Sequence, residues 1–171
     1  MNQIMDNILT RRSVRAFEKK DVPAEALAEI LKAAQYAPSG MNRQTWQFTA
    51  ITHRDKIQAL AAAVGSALNR KDYDMYDPAV LIITSNEPDN HLGQDDNACA
   101  MENIFLSAHS LGIGSVWINQ VRDVCSEPSV RTLLKEWGVP DSHVVYGVAA
   151  LGYAAPAPEK AVLKNGKTVI V

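Results

Sequence analysis

The chain has 171 residues, 47% hydrophobic and 21% charged, with seventeen basic and nineteen acidic side chains and a net charge of −2. That length fits one domain with a sizeable buried core, and the charge balance speaks against a general nucleic-acid binder. Apolar runs are short, none near the ~20 residues of a membrane span, and Met1–Asp6 lacks the basic and apolar parts of a signal peptide, so a cytoplasmic location is expected.

Taken in chain order, Ile4 to Leu9 reads as a short helix running into a cluster of arginines. Val22-Pro23 opens a second helix, with Pro at its first position and Glu25 and Glu29 toward its positive end. Leu27, Ile30, Leu31 and Ala34 then form an apolar stripe at helical spacing, and Pro38 ends it. Trp46 to Ile51 reads as a strand with partial alternation, and Arg54 to Asn69 as an Ala- and Leu-rich helix. Val80 to Thr84 is a continuous β-branched run, the pattern of a strand buried on both faces. Asp96 to Leu111 is the strongest helix, stopped by Gly112. Ser115 to Ile118 is a short strand, Ser126-Glu127-Pro128 opens a helix that reaches Trp137, and Val144 to Leu151 is the last strand. Thr168 to Val171 is an apolar tail. No repeat, low-complexity tract or linker intervenes, so residues 1–171 read as a single domain of α/β or α+β type.

The apolar residues of the Asp96–Leu111 helix do not keep to one face, which predicts burial nearly all round, in a large core or against a second copy. Cys99 lies among these positions and is expected to be a buried, inert thiol. With Cys125 it completes a pair of cysteines that is too small for a disulfide scaffold and lacks zinc spacing. Asp89, Asp95 and Asp96 read as a solvated turn and helix start.

Three stretches carry chemistry. Arg11-Arg12-Ser13-Val14-Arg15 sets three guanidinium groups and a hydroxyl within five residues, and Arg is the preferred fork for phosphate. The same run also fits a solvated basic turn, or Arg15 paired with Glu18. Pro38-Ser39-Gly40-Met41-Asn42-Arg43-Gln44 is a turn whose Asn42 and Gln44 amides suit a ring with alternating N–H and C=O groups, or simply bond the loop backbone. Gly112-Ile113-Gly114-Ser115 precedes a buried strand and would let a flat ligand approach the backbone, although a plain helix-to-strand connection reads the same. It fails the context of a dinucleotide fingerprint. The histidines His53, His91, His109 and His143 form no close pair, and neither GxSxG nor a P-loop is present, so hydrolase and nucleotide-triphosphatase readings lose support.

In this order the three stretches resemble one family, the FMN-dependent nitroreductases. Arg11–Phe17 matches R-R-S-x-R-x-F, Ala37–Phe48 matches A-P-S-x-x-N-x-Q-x-W-x-F, Leu111–Ile118 matches L-G-[LI]-G-[ST]-x-W-I, and Leu151-Gly152-Tyr153 matches a closing L-G-Y. The likeness covers nearly the whole chain. It implies an α+β fold with a central mixed, mostly antiparallel sheet flanked by helices, and a homodimer with two FMN sites at the subunit interface. Arg11 and Ser13 would hold the phosphate with Arg12 close by, and Arg15 would approach the flavin N1/O2 edge. Pro38, Ser39, Gly40, Met41 and Asn42 would come from the other subunit against the ring, with Gln44 nearby, and the Gly114–Ser115 backbone would lie beside N5. The resemblance further implies NADH or NADPH as donor, hydride transfer to N5 and a ping-pong handover to a nitroaromatic, a quinone or a similar small-molecule acceptor. No side-chain acid or base is obligatory: the flavin carries the redox chemistry, and a fixed cation at its anionic edge favours reduction.

The family's further phosphate contact after L-G-Y falls on Lys160 or Lys164, of which Lys164 is favoured. Asp77-Pro78-Ala79 stands where G-A-P is common, and Leu60 to Pro78 leaves little room for a helical lid. A flavin-consuming or dehalogenating relative and a non-enzymatic flavin-binding module are the alternatives to a reductase.

Overall fold

The computed structural model describes residues 2–156 and 163–171. Its centre is a four-stranded sheet in the order β1-β2-β4-β3, built from β1 (Trp46–Ile51), β2 (Val80–Asn86), β3 (Gly114–Ile118) and β4 (Val144–Gly152). All three strand pairings are antiparallel. The sheet is therefore not mixed among the described residues; the only parallel pairing there is an isolated bridge from Ser13 to Ser115.

Every residue of β2 is buried, because helices cover both faces of the sheet. Successive side chains point to opposite faces. Leu81 and Ile83 join α3 (Arg54–Ala67) and α6 (Pro128–Glu136) in one core, through Ile57, Leu60, Val64, Val130 and Leu134. Val80 and Ile82 join α2 (Ala24–Gln35) and α4 (Gly93–Ser110) in the other, through Ile30, Ala34, Met101, Ile104 and Phe105. Each fully buried Leu or Ile contributes about 1.5–3 kcal/mol relative to its exposed state.

Pro23, expected at the first helical position, stands at the N-cap of α2 instead, so the helix begins one residue later, at Ala24. α4 starts three residues before Asp96, where Asn90 accepts hydrogen bonds from Leu92 N–H through its side chain (3.1 Å) and from Gly93 N–H through its carbonyl (2.8 Å). One short helix, α5 (Gln120–Val124), has no counterpart among the sequence expectations; five residues are too few to show a period, and its Val121 and Val124 reach the core.

The all-round burial expected of α4 does not hold within one chain. Ala100, Met101, Ile104, Phe105 and Ala108 form a single buried stripe at helical spacing, while Glu102 faces out. Cys99 lies off the stripe and is exposed, not buried. Helix α1 (Gln3–Thr10) is capped by Asn2, whose side chain accepts from Met5 N–H at 2.9 Å. It buries no residue, and Ile4, Met5, Ile8 and Leu9 stay between 45% and 70% exposed.

Candidate functional site

The arginine stretch forms an extended arm across one end of the sheet. Asn7 Nδ2 donates to Leu106 O at 2.9 Å, and Thr10 Oγ1 lies 2.9 Å from His109 Nε2, which pins α1 to α4. Beyond α1, Val14 N–H donates to Ser115 O at 2.9 Å and Glu18 N–H to Tyr153 O at 2.8 Å. The arm thus brings Arg11–Arg15 together with Gly114–Ser115. A Cβ on Gly114 would stand 2.8 Å from a Val14 methyl group, so the open face of this glycine serves the passing arm.

The guanidinium groups have different surroundings. Arg11 is half-buried, its Nε 3.8 Å from a Glu102 carboxylate oxygen. Arg12 Nη1 donates to the carbonyls of Leu9 (2.7 Å) and Arg11 (2.8 Å), capping the end of α1. Arg15 is exposed and has no hydrogen-bond or ion-pair partner among the described residues; the pair with Glu18 is not formed. Ser13 is exposed, while Ser115 is buried.

The Pro38–Gln44 loop lies at the opposite end of the sheet, leading into Trp46, which pairs with Asn86. Gly40–Asn42 forms a short 3-10 turn, and Met41, Asn42 and Gln44 take positive φ of 52°, 55° and 50°. Left-handed backbone at non-glycine residues costs about 1–2 kcal/mol each and persists where surrounding contacts hold it. Those contacts are present. Gly40 N–H donates to Asp96 Oδ1 at 2.7 Å, and Asn90 Nδ2 donates to Asp96 Oδ2 and to Thr45 Oγ1, both at 3.1 Å. Thr45 Oγ1 donates to Asn86 Oδ1 at 2.7 Å. Gly40 packs so closely on Leu92 that a Cβ there would fall 2.2 Å from Leu92 Cδ1. The amides of Gln44 and Asn42 bond each other at 2.7 Å.

Asp96 corrects an expectation. It is not in a solvated helix start but 4% exposed, its carboxylate turned under the loop. Sequence reasoning missed this residue because its partner Gly40 lies 56 positions earlier; the sole local signal was the turn at Asn90.

The two walls do not converge within one copy. The loop is tied to Asp96 near the start of α4, and Thr10, where α1 runs into the arm, is tied to His109 near its end. That stretch of helix spans roughly 20 Å at 1.5 Å per residue. A cleft of about 410 Å³ lies beside the loop, lined by Leu31, Gln35, Gln44, Trp46, Gln47 and Phe48. Lys164 is exposed, with no hydrogen-bond or ion-pair partner among the described residues, and Lys160 lies outside them. No group of metal-ligating side chains occurs among the described residues, and no helix there is long and apolar enough to cross a membrane.

Comparison with known proteins matches the same elements. The profile of the Nitroreductase family covers residues 8–153. A relative from Archaeoglobus fulgidus, named as a candidate NADH dehydrogenase/NAD(P)H nitroreductase, is 34% identical over 166 residues, spanning 94% of this chain and 89% of its own. An FMN reductase (NAD(P)H) from Bacillus subtilis is 30% identical over 167 residues, spanning 86% of this chain and 66% of its own. The crystal structure of a Bacteroides fragilis nitroreductase with bound FMN is 41% identical and matches all of both chains with a TM-score of 0.92. A profile match that starts before the arginine arm and runs to the end of β4 takes in both walls and the whole sheet, and on it the chain belongs to the nitroreductase family.

Proposed function

We propose that the protein is an NAD(P)H-dependent FMN oxidoreductase that works as a homodimer. Each flavin site would take the arginine arm and Gly114–Ser115 from one copy and the Pro38–Gln44 loop from the other. The observation that carries this reading is the separation of the walls: each is built and held, yet they sit at opposite ends of the sheet in a single copy. A second copy is what sets one against the other.

The residues of the arm fit a phosphorylated cofactor. Arg15 has no partner among the described residues, and Arg11 has only a long contact to Glu102, so both guanidinium groups have donors left for an anion. Arg11 and Ser13 hold the phosphate, and Arg12, already tied to two carbonyls, braces the end of α1 beside it. Arg15 places a fixed positive charge at the N1/O2 edge, where electrostatic preorganisation favours reduction. The loop of Pro38, Ser39, Gly40, Met41, Asn42 and Gln44 would bound the ring and orient it, with the Gly114–Ser115 backbone beside it near N5. FMN, when bound, supplies the redox chemistry, taking a hydride from NADH or NADPH and passing electrons to a nitroaromatic, a quinone or a similar acceptor. Support for the cofactor comes from the Bacteroides fragilis structure with bound FMN, and for the donor from the relatives named for NAD(P)H.

The test is direct. Purified protein incubated with FMN should retain the absorbance of bound oxidised flavin and then oxidise NADH or NADPH steadily with a nitroaromatic or quinone present. Protein that takes up no FMN sinks the reading; FMN uptake without steady turnover points to the non-enzymatic binding module.

A further inference from the structure

The structure assigns Asp96 a role as a positioning residue for the flavin ring: by gripping the Pro38–Gln44 loop from beneath, it holds the ring-facing wall in one conformation. This rests on the flavin reading above.

Asp96 is an oddity in the core. A carboxylate that is 4% exposed normally has a cation beside it, because burial of an unpaired charge is unfavourable. Among the described residues Asp96 has none. Its two oxygens accept from Gly40 N–H (2.7 Å) and Asn90 Nδ2 (3.1 Å), and it lies in the first turn of α4, so hydrogen bonds and the positive end of the helix stand in for a cation. A charged acceptor makes the Gly40 bond short and strong. The same Asn90 amide reaches Thr45 Oγ1, which is bonded to Asn86, so one connected network holds the loop near both ends, at Gly40 and at Thr45.

What lies between those two holds is the strained part, with Met41, Asn42 and Gln44 all at positive φ. Met41 is 69% exposed and touches no core cluster, so packing from within the chain does not keep it there. The left-handed turn is closed by its own hydrogen bonds, from Asn42 N–H to Ser39 O (3.0 Å), Gln44 N–H to Ser39 Oγ (3.3 Å) and Gln44 Nε2 to Asn42 Oδ1 (2.7 Å), and its ends are clamped from beneath, where Asp96 supplies the charged group. Releasing Gly40 would let the turn relax to ordinary backbone and withdraw the surface that bounds the ring. The phosphate end is built on the arm, where Arg11 lies beside Glu102, and none of the hydrogen bonds of the clamp reaches it.

The experiment compares wild-type protein with Asp96→Ala and Asp96→Asn, using FMN and riboflavin as probes. Asp96→Ala should weaken both flavins by about tenfold or more, the worth of one charge-assisted hydrogen bond. The FMN-to-riboflavin affinity ratio, which reports the phosphate end, should stay unchanged. The visible circular dichroism of bound FMN, which reads the ring's surroundings, should change. Asp96→Asn, which keeps an acceptor for Gly40, should recover most of both signals. Should Asp96→Ala not fold, Thr45→Val cuts the other hold and should shift affinity and dichroism in the same sense. Wild-type dichroism and affinity in Asp96→Ala, or in Thr45→Val where that variant is the one that folds, overturn the assignment. So does a loss confined to FMN, which would locate the effect at the phosphate. Wild-type protein that binds neither flavin overturns the flavin reading itself, and this assignment with it.

Discussion

Arg11, Arg12 and Arg15 lie within five residues but meet three different environments. Arg12 is committed to backbone carbonyls, Arg11 is half-buried beside Glu102, and Arg15 is open. Under the proposed function, phosphate binding would then rest chiefly on Arg11. Arg11→Ala should weaken FMN binding by about 1.5–3 kcal/mol, the worth of a charged hydrogen bond, as read by fluorescence titration. Unchanged affinity would remove Arg11 from the phosphate site. A second residue bears on stability. Burial holds the His143 imidazole below its ordinary value of 6.5, with Arg131 pushing it further down and Glu87 pulling it back, and Ser85 Oγ lies 3.2 Å from its Nδ1. A histidine with a lowered folded pKa takes up its proton more readily when unfolded, so acid favours the unfolded chain. Its contribution is complete above about pH 6.5 and is lost as pH falls through the lower folded value. Thermal melts of His143→Gln should therefore depend less on pH below about 6 than those of the wild type; parallel curves would clear His143 of any part in acid sensitivity.

At the scale of elements, the arm is held by backbone hydrogen bonds on one side and by Val14 on the other. Val14 is β-branched and stiff at χ1, so it cannot swing away from an added methyl group. Gly114→Ala places a Cβ 2.8–3.0 Å from three Val14 side-chain atoms. The arm must shift, and the stability lost should be about 1–3 kcal/mol, typical of overpacking. Urea unfolding measures that loss, and a flavin titration on the same variant should show weaker FMN binding, since the shift moves Arg11 and Ser13 with it. Full stability and full binding together would mean that the arm's close seat is dispensable. The helices divide by how local their signals are. The α2 stripe, the buried β2 run and the Pro128 start of α6 follow from neighbouring residues and were readable from them. The early start of α4 depends on the turn at Asn90, and α5 exists because Val121 and Val124 find a core built by distant strands.

At the scale of the whole molecule, one copy leaves apolar surface uncovered. The α1 residues Ile4 and Ile8 are exposed, as are Leu163, Val169 and Ile170 near the C-terminus. Scattered apolar exposure is ordinary, but a helix with no buried residue is a sign of a missing partner. A shared site makes a prediction that no single-chain site can meet. Arg11→Ala/Ser13→Ala disables the arm, and Gly40→Val, forced against Leu92, disables the loop. Each variant alone should bind FMN poorly. Co-refolded, a heterodimer with shared sites has one site carrying both defects and one carrying neither, so FMN binding and turnover should reappear in the mixture. No recovery in a mixture shown to contain heterodimers would place both walls of a site in the same chain.

The sequence by itself determined the kinds of elements, most of their positions, and the motifs that mark the two walls. Periodicity, turn residues and arginine spacing depend on neighbours along the chain, so one sequence suffices to read them. Only the tertiary structure decided where the walls stand. The antiparallel order β1-β2-β4-β3 puts the loop before Trp46 at one end of the sheet and Gly114 at the other. It also exposed Cys99 and buried Asp96 under Gly40. Those facts come from pairings between residues far apart in the chain. The register and packing of such pairings are set by the assembled core, and no local pattern records them.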